Sequence, residues 1–405
     1  MPADDRRGGG VAVTWYVVSA QYAEVAAKGR RRSRYERVLA RNLREALEGR
    51  FAFAVKHSRL LTYVDDLQVA REVAAVAAKV PGVRWVGVGL SVERDMAALL
   101  DSLKRIAPEV VRSGETFAVK ASRADKSFPL NSHEIQVEAG RAIAEATGAA
   151  VDLTEPSRRF YVVVMPSEIL LLWERFEGVG GLPVGTSPPV LVLFSGGIDS
   201  PVAAWLMLRR GCPVSLLHFH ALPSDEDVVG SKVFRIFSTL RQYHRRVRLF
   251  TVSYVHFLKR ALDADPRLEL AVFKRFMHIV ADRFAPRVGA LGVVTGDSLG
   301  QVASQSLESM YAVTRGLELP VYRPLIGMDK EEIVNLATRI GTFHDSVSEY
   351  ADCCSIVSRR PKTRPRPAEV ESEWQRLGLD DAVREALSSI VEISPEGKVL
   401  KPAVQ

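Results

Sequence analysis

Val190-Leu-Val-Leu-Phe194 runs straight into Ser195-Gly-Gly-Ile-Asp-Ser200, and that into Pro201-Val-Ala-Ala-Trp-Leu206. A short apolar run, a loop of small residues and a second apolar run predict a buried strand, a tight turn and a helix. Gly196 and Gly197 permit a tight backbone and close approach of an anion. Ser195 and Ser200 add hydroxyl donors. Pro201 suits a first helical turn, where its missing N–H costs nothing. The helix start then directs its free N–H groups at the loop, which is how chains bind phosphate. No Gly-Lys-Ser or Gly-Lys-Thr ending follows, so transfer of a γ-phosphate is not indicated.

Around this unit, short apolar strands alternate with helical patterns at 190–194, 214–219, 248–253 and 291–295. Such alternation predicts an α/β, Rossmann-like domain with a parallel sheet over residues 190–367. Helical patterns at 368–377 and 380–390 make 368–405 a C-terminal helical tail, loosely held after Ile393. Upstream, the 405 residues leave room for two smaller units. Residues 1–64 read as strand (11–20), helix (Tyr35, Val38, Leu39, Leu43 and Leu47 at three-to-four spacing) and strand (59–64), a small α+β unit. Residues 65–176 read as strands at 83–90, 116–121, 160–165 and 168–173, with a helix at 134–147 that Gly148 ends. Residues 177–189 are rich in Gly and Pro and read as a linker.

Charge is distributed unevenly. The net is +7, yet residues 1–60 hold 13 Lys/Arg against 6 Asp/Glu, and the remainder holds 42 of each. The excess is therefore N-terminal, where Lys28, Arg30, Arg31, Arg32 and Arg34 cluster, and a polyanion such as nucleic acid is the expected partner. Three cysteines without a CxxC build no disulfide framework and suit a reducing compartment. No apolar stretch reaches the ~18 residues of a membrane span, and the first ten residues lack a signal peptide's apolar run. The expectation is a cytoplasmic protein without membrane association.

The Ser-Gly-Gly-x-Asp-Ser loop after a strand resembles the PP-loop of ATP pyrophosphatases, which cleave ATP between the α- and β-phosphates. Three further stretches, Gly181-Leu-Pro-Val-Gly185, Thr295-Gly-Asp-Ser-Leu-Gly-Gln-Val-Ala-Ser-Gln305 and Arg323-Pro-Leu-Ile-Gly-Met-Asp-Lys-Glu-Glu-Ile333, with Ile340-Gly-Thr342, resemble the tRNA 4-thiouridine synthetases, or tRNA sulfurtransferases. Arg123-Ala-Asp-Lys-Ser-Phe-Pro129 with Val151-Asp-Leu153 resembles the core of a THUMP RNA-binding domain. Glu24 and Lys28-Gly29 with the basic run resemble that family's N-terminal ferredoxin-like domain. The resemblance spans residues ~11–367.

It implies ATP and Mg²⁺ as cofactors, with Ser195, Gly196, Gly197, Asp199, Ser200, His218, Phe219, Gly296 and Gln305 at the nucleotide. Asp199 would organise Mg²⁺, directly or through water, and Lys330 would balance pyrophosphate charge. Asp297, Ser298 and Gln301 would face the same cleft, Asp297 standing where the family more often carries Glu. No protein-held metal site is expected. Lys28, Arg30, Arg31, Arg32, Arg123 and Lys126 would contact tRNA, mostly its phosphates, which position an RNA rather than read its sequence.

Tyr350-Ala-Asp-Cys-Cys-Ser-Ile356 resembles the family's cysteine segment. Cys354 matches the position that receives or passes on sulfur, and Cys353 is the backup or resolving thiol. Arg359, Arg360 and Lys362 would favour a thiolate. Cys212 reads as packing. Only 51 residues follow Cys354, too few for the rhodanese domain of many bacterial members. Sulfur would then arrive in trans, from a cysteine desulfurase, a rhodanese-type protein or free sulfide. The stretch Leu270-Ala-Val-Phe-Lys-Arg275 lacks the cysteines that hold an iron–sulfur cluster in archaeal members. The implied reaction adenylates O4 of uridine 8 and replaces it with sulfur. The alternatives are a small-molecule ATP pyrophosphatase and sulfur transfer in thiazole, and so thiamine, synthesis. The resemblance also raises a homodimer as the working form.

Overall fold

The computed structural model describes residues 15–350, 353 and 362–400. They form two compact units, dividing at Gly180 and Gly181.

The first unit is built on one seven-stranded sheet. Its strands are β1 (Tyr16–Tyr22), β2 (Ala54–Lys56), β3 (Arg59–Val64), β4 (Val83–Val92), β5 (Phe117–Arg123), β6 (Arg158–Val164) and β7 (Ile169–Glu177), in the order β2-β3-β1-β4-β7-β6-β5. Helices Arg32–Ala46 and Leu67–Ala78 pack on β1, β3 and the first half of β4 through Leu39, Leu43, Val73 and Val86. Helices Met96–Val110 and Ser132–Thr147 pack on the second half of β4 and on β5 to β7 through Leu99, Leu103, Ile135 and Phe160. Two cores thus share one sheet, and β4 crosses from one to the other. A division at 64/65 falls between β3 and the Leu67–Ala78 helix, whose apolar side serves the first core.

Local signals set the element ends. Asn131 and Glu134 close a capping box at the start of the Ser132–Thr147 helix, and Gly148 ends it in the left-handed region. Each such cap contributes about 1 kcal/mol. The β2–β3 hairpin turns on His57 and Ser58, both at positive φ (44° and 69°). That is the primed turn two-residue hairpins favour, made without Asn or Gly. The opposite sheet face carries the strand residues Val17, Leu61, Trp85, Val163, Leu170 and Leu172, with Met165 just past β6. Arg59 and Arg175 stack on Trp85 there, 5.7 and 5.2 Å from its ring centroid.

The second unit holds β8 (Val190–Leu193), β9 (Val214–His220), β10 (Arg248–Ser253), β11 (Val293–Val294), β12 (Val321–Tyr322), β13 (Val391–Ile393) and β14 (Val399–Leu400). The order is β12-β11-β8-β9-β10-β13-β14. β12 through β10 run parallel, as the alternating pattern predicts. Strand succession proceeds one way from β8 to β10 and then reverses to β11 and β12. Between β8 and β11 lies the switch point where open α/β sheets bind ligands.

The C-terminal stretch differs from a loosely held helical tail. Its helices, Pro367–Leu377 and Leu379–Ser389, place Val370, Trp374, Leu379 and Val383 in the main core. β13 then pairs antiparallel with β10, and β14 with β13. Apolar residues on one side of each helix and a strand of three residues draw this segment into the fold.

Candidate active site

β8 delivers the chain to the loop at the switch point. The Ser195 N–H donates to Ser200 Oγ at 3.1 Å, and the Gly197 N–H donates to Ser195 Oγ at 3.2 Å, so the two serines tie the loop to the first helical turn. Gly196 has φ +74°, and a Cβ there would stand 2.8 Å from Val233 Cγ2. Only glycine fits. The Asp199–Arg209 helix begins here, with Pro201, Val202, Ala203, Ala204 and Trp205 buried. Its buried body fixes where its free N–H groups point.

β11 brings a second wall. A Cβ on Gly296 would stand 2.8 Å from the Ser200 nitrogen, so this glycine lets the two loops touch. Asp199 is half-shielded and doubly held: Lys330 Nζ lies 2.7 Å from Oδ1, and Gln301 Nε2 donates to Oδ2 at 3.0 Å. Lys330 opens the Lys330–Arg339 helix, whose start is fixed by an Asp329–Glu332 capping box. Asp297 accepts from Thr295 Oγ1 at 2.7 Å and faces Arg323 Nε at 3.4 Å and Lys274 Nζ at 3.9 Å. Burial works against its charge, but Lys274, Thr295, His278 and Arg323 outweigh burial and hold the carboxyl below its usual range.

These groups enclose a cleft of about 430 Å³. Ser195, Asp199, Ser200, Phe219, Gly296 and Gln305 line it, so the sequence-predicted nucleotide residues converge. Gly197 belongs to the same loop. His218 sits beside the cleft: burial lowers its pKa to about 4, one ring nitrogen meets the Phe194 carbonyl at 2.7 Å and the other the Tyr350 hydroxyl at 2.8 Å. Cys353 lines the cleft too, and its thiol donates to the Phe219 carbonyl at 3.4 Å. Cys354, Arg359 and Arg360 lie outside the described residues. Lys362 is engaged by Glu369 at 2.7 Å. Cys212 is buried away from the cleft, and burial pushes its thiol up.

Sequence reasoning missed Lys274 and His278. They stand four apart on the Glu269–Phe284 helix, so both reach the cleft from one face. The spacing was readable, but a lysine and a histidine four apart are common on any helix. Burial lowers the pKa of His278 to about 4. Its Nδ1 meets the Lys274 carbonyl at 2.7 Å, while Nε2 is buried without a partner, as are Gln301 Oε1, Gln305 Oε1 and an Arg323 nitrogen. Buried polar atoms of this kind call for a ligand or water.

The basic residues of the first unit divide. Arg30 and Arg31 are exposed, and Lys28 stacks on Tyr35 at 5.7 Å. Arg32 turns inward, bonded to Glu36 at 2.7 Å, Ser58 Oγ at 2.6 Å and Tyr22 OH at 2.5 Å. Arg123 donates to the Phe128 and Leu130 carbonyls at 3.2 and 3.0 Å, shaping the loop that presents exposed Lys126.

Known proteins share this organisation. The family model described as thiamine biosynthesis protein (ThiI) matches residues 185–379, a THUMP domain matches 93–174, and a ThiI ferredoxin-like domain matches 17–87. A protein of Caldanaerobacter subterraneus subsp. tengcongensis, named "probable tRNA sulfurtransferase", is 35% identical over 382 residues, 93% of this chain and 99% of its own. One of the same name from Staphylococcus aureus is 33% identical over 388 residues, 94% of this chain and 95% of its own. Among solved structures, a 4-thiouridine synthetase in complex with RNA and bound ATP superposes with a TM-score of 0.83 at 30% identity, over 96% of this chain and all of that one. PH1313 from Pyrococcus horikoshii superposes with a TM-score of 0.62 at 25% identity, over 80% of this chain and 99% of its own. With ferredoxin-like, THUMP and PP-loop domains in that order, the chain belongs to the tRNA sulfurtransferase family.

Proposed function

We propose that this chain is an ATP-dependent tRNA sulfurtransferase that converts uridine 8 of tRNA to 4-thiouridine. One observation carries the reading: the Ser195–Ser200 loop, the Asp199–Lys330 pair and the Cys353 thiol meet at one cleft, so nucleotide and sulfur chemistry share a site.

The loop and helix start bind the ATP phosphates, and Lys330 balances the charge that builds on pyrophosphate as it departs. Uridine O4 attacks the α-phosphorus, pyrophosphate leaves, and O4 becomes part of a good leaving group. A sulfur nucleophile then attacks C4, and AMP departs with the former O4. Where a sulfur protein donates, the outer sulfur of a persulfide on Cys354 attacks C4, Cys353 then cleaves the S–S bond to give a Cys353–Cys354 disulfide, and a thiol reductant restores both thiols; free sulfide attacks C4 directly, with no carriage on cysteine. The sulfur comes in trans, from a cysteine desulfurase, a rhodanese-type protein or free sulfide.

Mg²⁺ fits this site through Asp199. Among the described residues no group of three or more His, Cys, Asp or Glu could hold a metal; Asp199 would hold the ion and the ATP phosphates would supply further ligands, as is common for Mg²⁺. When bound it neutralises phosphate charge.

The exposed Arg30, Arg31 and Lys126, with the half-buried Lys28, contact tRNA from the first unit. No helix among the described residues is long and apolar enough to cross a membrane. The family description as a thiamine biosynthesis protein favours a second acceptor for the same sulfur, in thiazole formation. Mass spectrometry of tRNA nucleosides after incubation with ATP, Mg²⁺ and sulfide tests the main reading. Appearance of 4-thiouridine is expected; its absence with folded, ATP-binding protein overturns the proposal.

A further inference from the structure

His218 and Phe219 are neighbours at the end of β9, and each holds one residue of the cysteine segment. The Phe219 carbonyl accepts from the Cys353 thiol at 3.4 Å. The His218 ring lies between the Phe194 carbonyl at 2.7 Å and the Tyr350 hydroxyl at 2.8 Å. A carbonyl only accepts, so Nδ1 carries the ring proton and Nε2 accepts from Tyr350. Burial, which lowers the pKa of His218 to about 4, keeps this arrangement neutral. Phe194 immediately precedes Ser195. One imidazole therefore joins the root of the phosphate loop to a tyrosine three positions before Cys353.

The Lys232–Arg241 helix supplies further ties. Lys232 Nζ donates to the Ser346 and Ser348 carbonyls at 2.8 and 3.0 Å and lies 5.8 Å from the centroid of the Tyr350 ring. A Cβ on Gly196 would come within 3.8 Å of its Cε, so the same side chain borders the phosphate loop. Arg235 Nε meets Asp345 Oδ1 at 2.7 Å. The stretch 345–350 is thus fastened to elements that also shape the phosphate loop.

We propose that Tyr350 and His218 form a positioning latch, with Lys232 as a second tie, that holds the cysteine segment against the nucleotide cleft and so decides whether an adenylated uridine receives sulfur. The proposal rests on the sulfur-transfer reading above. Neither residue takes part in bond making. With the latch broken, ATP still adenylates uridine, but the persulfide sulfur arrives late. Water then attacks the adenylate, returning uridine and AMP, and pyrophosphate has been released without thiolation.

The test uses full-length Tyr350→Phe, with His218→Gln as a second variant, and a persulfide-donating cysteine desulfurase with cysteine as sulfur source. Pyrophosphate and 4-thiouridine are measured in one reaction. Tyr350→Phe is expected to raise pyrophosphate released per 4-thiouridine about fivefold or more, as loss of one part-buried hydrogen bond implies, while the pyrophosphate rate stays within about twofold. Alkylation of Cys353, followed by peptide mass mapping, should quicken by about the same factor as the thiol loses its fixed place. His218→Gln, which still offers an acceptor to Tyr350, should retain more coupling than Tyr350→Phe. A pyrophosphate-to-thiouridine ratio unchanged in Tyr350→Phe overturns the latch. Should the wild type form no 4-thiouridine, the sulfur-transfer reading fails, and the alkylation rate alone decides the latch: unchanged, it is refuted.

Discussion

The two units treat polar groups in opposite ways. In the first, charges are closed into internal networks. Glu168 accepts from Lys56, Tyr63 and Ser91 at 3.1, 2.7 and 2.5 Å, Arg94 holds Asp125 and Ser127, and Arg158 holds Glu115. Its unpartnered buried atoms, such as Ser19 Oγ and an Arg59 nitrogen, are scattered on the sheet. The second unit has scattered ones too, on Trp205, His220, Arg275 and Ser346, but those of His278, Gln301, Gln305 and Arg323 gather around Asp199 and Asp297. A network that satisfies itself gives shape; one left incomplete gives affinity. The first unit is a finished surface for a large partner, and the second is completed by a small one.

Asp199→Ala is the strongest attempt to break that division. Pyrophosphate release should fall by roughly 10²-fold or more, the scale of losing a group that acts on the reacting phosphates. Filter binding of tRNA should stay within about twofold, since the cations proposed to hold it lie in the first unit. A parallel loss of RNA binding would show that the two functions are not separable. Gly196→Ala comes next. Its positive φ and the 2.8 Å approach to Val233 Cγ2 predict about 1–3 kcal/mol of strain and a fluorescent-ATP affinity lower by about tenfold or more.

Glu168→Ala should cost the first unit about 1–3 kcal/mol, because it leaves three donors without their acceptor. Thermal melting checks the stability loss, and ATP affinity should not move.

Acid weakens both units but in different windows. His218 and His278 bind protons at 6.5 when unfolded but only at about 4 when folded. Between those values the unfolded chain holds more protons, so the second unit loses stability as pH falls below about 6.5. Glu168 is opposed by burial yet held below its ordinary 4.5 by Ser91, Tyr63 and Lys56. Its contribution is complete above 4.5 and is lost as pH falls through its lower folded value. Hydrogen exchange resolved by peptide, corrected for intrinsic rate, should therefore show the second unit loosening at pH 5 while the first holds.

The smallest effect divides the basic run itself. Arg30→Ala and Arg31→Ala should each reduce the salt slope of tRNA binding by about 1. Arg32→Ala should instead lower stability by about 1–2 kcal/mol, because its guanidinium joins Tyr22, Glu36 and Ser58.

Arg32 also marks what sequence could convey. A run of arginines reports charge density, but which one turns inward depends on Glu36 four residues on and Ser58 across the hairpin, a contact no local pattern contains. The phosphate loop was legible because strand, glycines and helix start are adjacent in the chain. Asp199, Gln301 and Lys330 were each legible, while their meeting required the sheet order. β13 and β14 were not, since a three-residue and a two-residue strand have too few positions for periodicity to register. The β2–β3 hairpin hid for another reason: His57 and Ser58 adopt a turn that Asn-Gly would have announced.

The pairing of β13 on β10 also carries a timetable. On the ribosome the whole first unit is made before the second begins, and it can fold without waiting. β10, with Leu249, Phe250 and Val252 buried in the finished protein, emerges early, yet the strand that covers its edge comes almost 140 residues later. At ~5–20 residues per second that gap is on the order of ten seconds, during which an apolar sheet edge has no cover. Growth temperature and chaperone supply should therefore govern correct folding of the second unit far more than that of the first.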